Sequence, residues 1–193
     1  MHLMVQTWKD LDISLDPIKD QIIAVIGYGI QGDAQANNMK DSGLNIVIGL
    51  KEGGTSWQKA KGDGHEVLSV ADACKKADII HILIPDMIQA KVYKEEIAPN
   101  LSEGNALSFS HAAAIYWKWI DAPDNVDVIM VAPKGPGSKV RETYLENFGT
   151  PSIVAVEQDK TGTAWDRTLG IAKGIGSARA GLIKTTFKEE VET

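Results

Sequence analysis

Apolar residues in this chain come in short consecutive runs, and between them apolar positions recur at helical spacing. The runs are QIIAVI (21–26), NIVIGL (45–50), HEVLS (65–69), DIIHILIP (78–85), NALSFS (105–110), DVIMVAP (127–133), SIVAVE (152–157) and AGLIKTT (180–186). Helix-like segments fall near 30–42, 55–62, 70–76, 86–97, 138–147 and 161–175. A run apolar at consecutive positions suits a strand covered on both faces, and strand–helix alternation suits parallel βαβ units. The expected architecture is α/β, a doubly wound and mostly parallel sheet with helices on both faces.

Local punctuation fits this reading. Gly43 stands where the first helix wants a left-handed cap, and Gly104 where a later helical segment does. Ser69, with Asp72 three residues on, reads as a helix start of the capping-box type. The expected organisation is an N-terminal arm over 1–20, packed through Leu3, Trp8 and Ile13, then a domain over 21–187. Residues 188–193 read as the start of a further helical unit.

A net charge of −6 argues against non-specific nucleic-acid binding, which needs a basic face. No apolar run reaches the roughly 20 residues of a membrane span, and MHLMVQTWKD lacks the apolar core of a secretory signal. Cys74 is the only cysteine, so neither a disulfide framework nor a thiolate metal cluster is expected. These readings point to the cytoplasm, with no membrane partner.

The chemistry starts at IIAVIGYGIQGDAQ, residues 22–35. The spacing Gly27, Gly29, Gly32 is weak evidence alone, but here it follows a strand, opens a helix and lies within a βαβ unit. Gly27 permits the tight turn, Gly29 lets backbone approach a pyrophosphate, and Gly32 lets the helix close on the sheet. Free amides at the helix start then face the anion. This is a Rossmann-like dinucleotide turn, for which a ligand-free glycine corner is the weaker reading. After the second strand come Lys51, Glu52, Thr55 and Ser56. Lys51 and Ser56 favour the extra phosphate of NADP(H), while Glu52 opposes it and leaves NAD(H) open.

GYGIQGDAQANN, DSGLNIVIGLKEG, ADIIHILIPD, EEIAPNL, VAPKGPG, AKGIGSARAG and TTFKEEVET together resemble the N-terminal domain of ketol-acid reductoisomerases, the acetohydroxy-acid isomeroreductases. The likeness runs from about residue 7 to the end, and APKGPG and TTFKEE are its most specific parts. It implies an NADPH- and Mg²⁺-dependent enzyme of valine and isoleucine biosynthesis. Such an enzyme isomerises a small-molecule 2-acetohydroxy acid by an alkyl shift and reduces the product. Carried over by motif, the pyrophosphate turn is Tyr28, Gly29, Ile30 and Gln31, and the 2′-phosphate loop is Lys51, Gly54 and Ser56. Asp86 and Gln89 match a cofactor-contacting segment, although Asp86 as N-cap with Gln89 at N3 would also make a capping box. His111 matches an active-site histidine, Lys134 an active-site lysine, and Gly137 the loop closing near the cofactor.

The chain departs from that pattern at four places. Ala112, Ala113 and Ala114 replace Gly-Phe-Asn, Ile30 replaces a serine, Asp33 a basic residue, and Gly54 a serine. All four changes point towards weaker cofactor binding, so a degenerate relative without activity is the alternative. A third reading is another NADP-linked dehydrogenase on the same fold. The metal ligands and the helical half of the family's substrate pocket are expected beyond Thr193, which makes this polypeptide alone inactive. His2, His65, His81 and His111 show no ligand spacing, and Glu189 and Glu190 receive no metal. An apolar face left open near 171–187 is expected to drive homo-oligomer formation.

Overall fold

The computed structural model describes residues 5–193, which leaves Leu3 of the expected arm contact outside the described residues. A nine-stranded sheet runs through it in the order β1-β9-β8-β7-β6-β5-β2-β3-β4. These are β1 (Thr7–Trp8), β2 (Ile22–Ile26), β3 (Asn45–Gly49), β4 (Glu66–Leu68), β5 (Ile79–Ile82), β6 (Ala106–Phe109), β7 (Asp127–Pro133), β8 (Ser152–Gln158) and β9 (Leu182–Lys184). The six strands from β4 to β7 are parallel, whereas β8 pairs antiparallel with β7, and β1 with β9. From β2 the chain moves outward to β3 and β4, then returns to β5 on the other side of β2. This reversal opens a crevice at the carboxyl ends of β2 and β5, where doubly wound sheets take their ligands.

The helices are α1 (Ile30–Asp41), α2 (Thr55–Gly62), α3 (Val70–Lys76), α4 (Asp86–Val92), α5 (Ala113–Tyr116), α6 (Gly137–Leu145), α7 (Ala164–Gly174), α8 (Ser177–Ala180) and α9 (Phe187–Glu192). The helical stretch expected to 97 loosens into a wide turn at Tyr93–Ile97 and tightens at Ala98–Asn100, where Pro99 ends it. Successive residues of β2 serve opposite layers, as the pleat requires. Ile23 and Val25 pack with Met39 and Ile171, while Ala24 and Ile26 pack with Val70, Ala73 and Phe187. Gly43 and Gly104 both adopt positive φ, and the Ser69 hydroxyl accepts the Asp72 amide at 3.1 Å.

The arm is held to the domain. Ile13 is buried, the Trp8 ring packs 5.4 Å from Trp165, and Ile18 fills the notch left by Gly170, where a Cβ would lie 2.6 Å from it. The face expected to be open near 171–187 is covered instead. Ile171, Ile175, Ala178, Leu182 and Phe187 are all buried: α7 packs on β7 and β8 with Ile13 and Ile18 of the arm in the same layer, while Phe187 of α9 lies in the opposite layer, and Ile183 is the exposed apolar side chain of this stretch. No helix among the described residues is long and apolar enough to cross a membrane.

Candidate functional site

The turn after β2 divides its glycines into two kinds. Gly27 has φ +102°, and a Cβ there would lie 2.9 Å from the Leu83 carbonyl oxygen; at Gly32 it would lie 2.4 Å from the Gly27 oxygen. Folding demands both. Gly29 is different: its backbone is extended, and an added Cβ would meet nothing within 4 Å. The amides of Ile30, Gln31 and Gly32 precede the first helical hydrogen bond, from Asp33 to the Gly29 oxygen, and no side-chain oxygen among the described residues caps them. Such uncapped amides at a helix start form an anion site.

Three clefts that share residues run across this edge of the sheet. The middle one, about 520 Å³, is lined by Gly29, Ile30, Gln31 and Ser56. Through Leu50 and Ile84 it continues into an apolar cleft walled by Lys51, Glu52, Val70 and Ile88. Through Gln31 and Leu83 it continues the other way to Asp86, Gln89, Ser110 and His111.

Not every expected residue faces this track. Tyr28 lines the middle cleft, but its hydroxyl is held elsewhere, donating to Asp63 at 2.8 Å and accepting from Asn37 at 2.9 Å, and burial raises its pKa. Gly54 is the N-cap of α2 and lines none of the three clefts. Gly137 lies behind the turn, where a Cβ would sit 2.2 Å from the Ile30 oxygen, so close backbone packing is its evident requirement. The expected capping box at Asp86 does not form. Pro85 is the N-cap, Asp86 is the first helical residue, and the Gln89 amide donates to the Ile84 carbonyl (2.9 Å) and to Asp86 (3.0 Å). Because Gln89 spends its NH₂ on both, its Oε1 is left buried without a donor among the described residues.

At the far end, His111 Nδ1 lies 3.0 Å from a Glu190 carboxylate oxygen, and Nε2 lies 4.0 Å from Asp86. Glu190 also accepts the Ala112 amide at 2.9 Å, and its other oxygen lies 3.7 Å from Lys134 Nζ. Glu190 is nearly buried, while His111 and Lys134 are about half exposed. The sequence reading left Glu190 aside. A signal for it exists: Thr186 accepts the Glu189 amide while Glu189 accepts the Thr186 amide, a capping box that starts α9 and carries Glu190 inward. Asp33, expected to repel a diphosphate, is ion-paired with Lys59. Among the described residues no three His, Cys, Asp or Glu side chains converge on a metal-binding geometry.

Residues 17–181 match the family described as acetohydroxy acid isomeroreductase, NADPH-binding domain. The chain is 85% identical over 190 residues to a ketol-acid reductoisomerase (NADP(+)) of Nitrosopumilus maritimus, covering 98% of this chain and 57% of that protein. It is 80% identical over 190 residues to the namesake of Cenarchaeum symbiosum, with the same shares covered. A solved NADH-preferring ketol-acid reductoisomerase from an uncultured archean superposes with a TM-score of 0.93 at 47% identity, covering 96% of this chain and 57% of that one. The chain therefore spans a little over half the length of the relatives it matches.

Proposed function

From the membership of this chain in the acetohydroxy acid isomeroreductase (ketol-acid reductoisomerase) family, we propose that it is the unit that seats NADP(H) for that reaction. In the whole protein the reaction would isomerise a 2-acetohydroxy acid and reduce the product by hydride transfer. The observation that carries the reading is Gly29. Neither packing nor backbone conformation requires glycine there, so the remaining physical reason is room for a ligand against the uncapped amides of α1.

The remaining assignments follow from this placement. The diphosphate lies over Gly29, Ile30 and Gln31, and the adenosine end lies between Ile88 and the loop of Lys51 and Ser56. At the nicotinamide end, the buried Gln89 oxygen suits an N–H donor such as a carboxamide. His111, Lys134 and Glu190 beside it form a polar cluster able to hold a proton and to stabilise a developing oxyanion. Mg²⁺ belongs to the whole enzyme, and no step assigned to these residues runs through it. The Lys59–Asp33 pair removes one ground for a degenerate, non-binding relative. Assembly with further copies is part of the reading, supported by the exposed Leu145 and Phe148 near the end of α6, as is residence in the cytoplasm. Fluorescence titration with NADPH and NADH tests the proposal: micromolar uptake of NADPH supports it, and no uptake of either overturns it.

A further inference from the structure

His81 lies in the middle of β5, fully buried, beside Ser108 of β6, which pairs with it in register. Its ring nitrogens lie 2.8 Å from Ser108 Oγ and 2.8 Å from Gln35 Oε1. Gln35, also fully buried, donates from Nε2 to Gln31 Oε1 (3.0 Å) and to Ser110 Oγ (3.2 Å). Gln31 in turn donates from Nε2 to the Gly135 carbonyl at 3.0 Å.

The direction of this chain is fixed from its ends. The Gly135 carbonyl can only accept, so Gln31 must show it the NH₂ and turn its oxygen to Gln35. The Ser110 hydroxyl is committed to the Val131 carbonyl at 2.9 Å, so it too must accept from Gln35. Gln35 therefore donates on that side and presents its oxygen to His81. His81 must answer with Nε2–H, which leaves Nδ1 bare to accept the Ser108 hydroxyl. From Ser108 through His81 and Gln35 to Gln31, the donors point from the sheet interior towards the turn.

We infer that this buried relay makes His81 a positioning residue for the dinucleotide. It holds the Gln31 side chain in the wall shared by the middle and nicotinamide-end clefts and ties the turn to the loop after β7. Gln31 keeps a second amide hydrogen that lacks an acceptor among the described residues and is available to a ligand oxygen. A leucine-like side chain at 81 would fill the same space but leave Gln35 Oε1 buried without a donor. Gln35 would then turn, and Gln31 with it. The inference rests on the proposed dinucleotide site and adds what positions it.

Two measurements on the full chain decide it. Nitrogen-15 imidazole spectra should show His81 protonated at Nε2 and bare at Nδ1; the opposite tautomer overturns the relay. In NADPH titrations, His81→Leu and Gln35→Met should each raise Kd by about tenfold, the worth of one well-placed hydrogen bond. His81→Leu added to Gln31→Met should then raise it no further, although thermal stability still falls. Additive losses of affinity would mean mere destabilisation and overturn the inference, as would unchanged affinity in the single variants of a binding wild type. A wild type that takes up no dinucleotide removes the proposed function and this role together, whatever the tautomer.

Discussion

The Glu190 carboxylate sits 3.0 Å from Nδ1 of His111, although the two residues are 79 positions apart. The same carboxylate receives the Ala112 amide, so α9 is fastened at the point where β6 delivers its histidine. Removing it leaves a main-chain donor without its protein acceptor.

Glu190→Ala is therefore expected to destabilise the chain by about 1–3 kcal/mol, the range for losing a partner of a charge-assisted hydrogen bond. Glu190→Gln should cost less, because its amide oxygen can still accept from Ala112. Urea unfolding of the two variants measures this, and equal midpoints for Glu190→Ala and the parent would show that α9 is not held there.

The three glycines of the turn should separate by experiment. The Cβ of Gly29→Val meets nothing within 4 Å, so the unfolding midpoint should stay close to the parent's while NADPH affinity collapses. Gly32→Val should fail earlier, at folding, since its Cβ collides with the Gly27 carbonyl. Circular dichroism melts alongside nucleotide titration distinguish the two. A Gly29→Val chain that still binds NADPH as the parent does would remove the reason given for that glycine.

Much of this arrangement was legible because burial on both faces leaves an imprint in sequence. The largely apolar runs of β2, β5 and β7 suited strands covered on both faces, and the glycine turn lies at the end of the first of them. β1 was illegible because two residues carry no period; it exists only where the edge of β9 offers partners. The four-residue helices α5 and α8 are too short for a helical stripe. The Lys59–Asp33 pair and the His81–Gln35 bond join distant segments and leave no local pattern, and the capping box before Glu190 marks its helix but not its partners. For the same reason the face near 171–187 looked open: the side chains that cover it come from β7, β8 and the arm.

The loop at Lys51 should set the choice between the two nicotinamide dinucleotides. Lys51 and Glu52 both wall the adenosine-end cleft, and only the lysine can answer a 2′-phosphate with charge. Lys51→Ala is expected to weaken NADPH by about tenfold with little change for NADH, and Glu52→Gln to strengthen NADPH. Competition titrations at low salt measure both, since screening would blunt the difference. Equal losses for the two cofactors would place the 2′-phosphate away from Lys51.

Acid should expose the buried histidine. Burial holds the His81 imidazole down to about 4, whereas an unfolded histidine titrates near 6.5. Between those values the unfolded chain carries a proton that the folded chain refuses, so unfolding takes up protons and stability rises with pH. The contribution is fully present above about pH 6.5 and is lost as pH falls towards 4, at no more than about 1.4 kcal/mol per unit. His65, also lowered chiefly by burial, acts in the same sense, so the parent's pH profile alone cannot isolate His81. The difference between the parent and His81→Gln can, because His65 and the carboxylates cancel in it. Glutamine offers an amide donor of similar reach and does not titrate. The parent's stability relative to the variant's, from urea unfolding at half-unit steps, should fall on acidification through this window, and a constant difference would mean that His81 accepts its proton without unfolding.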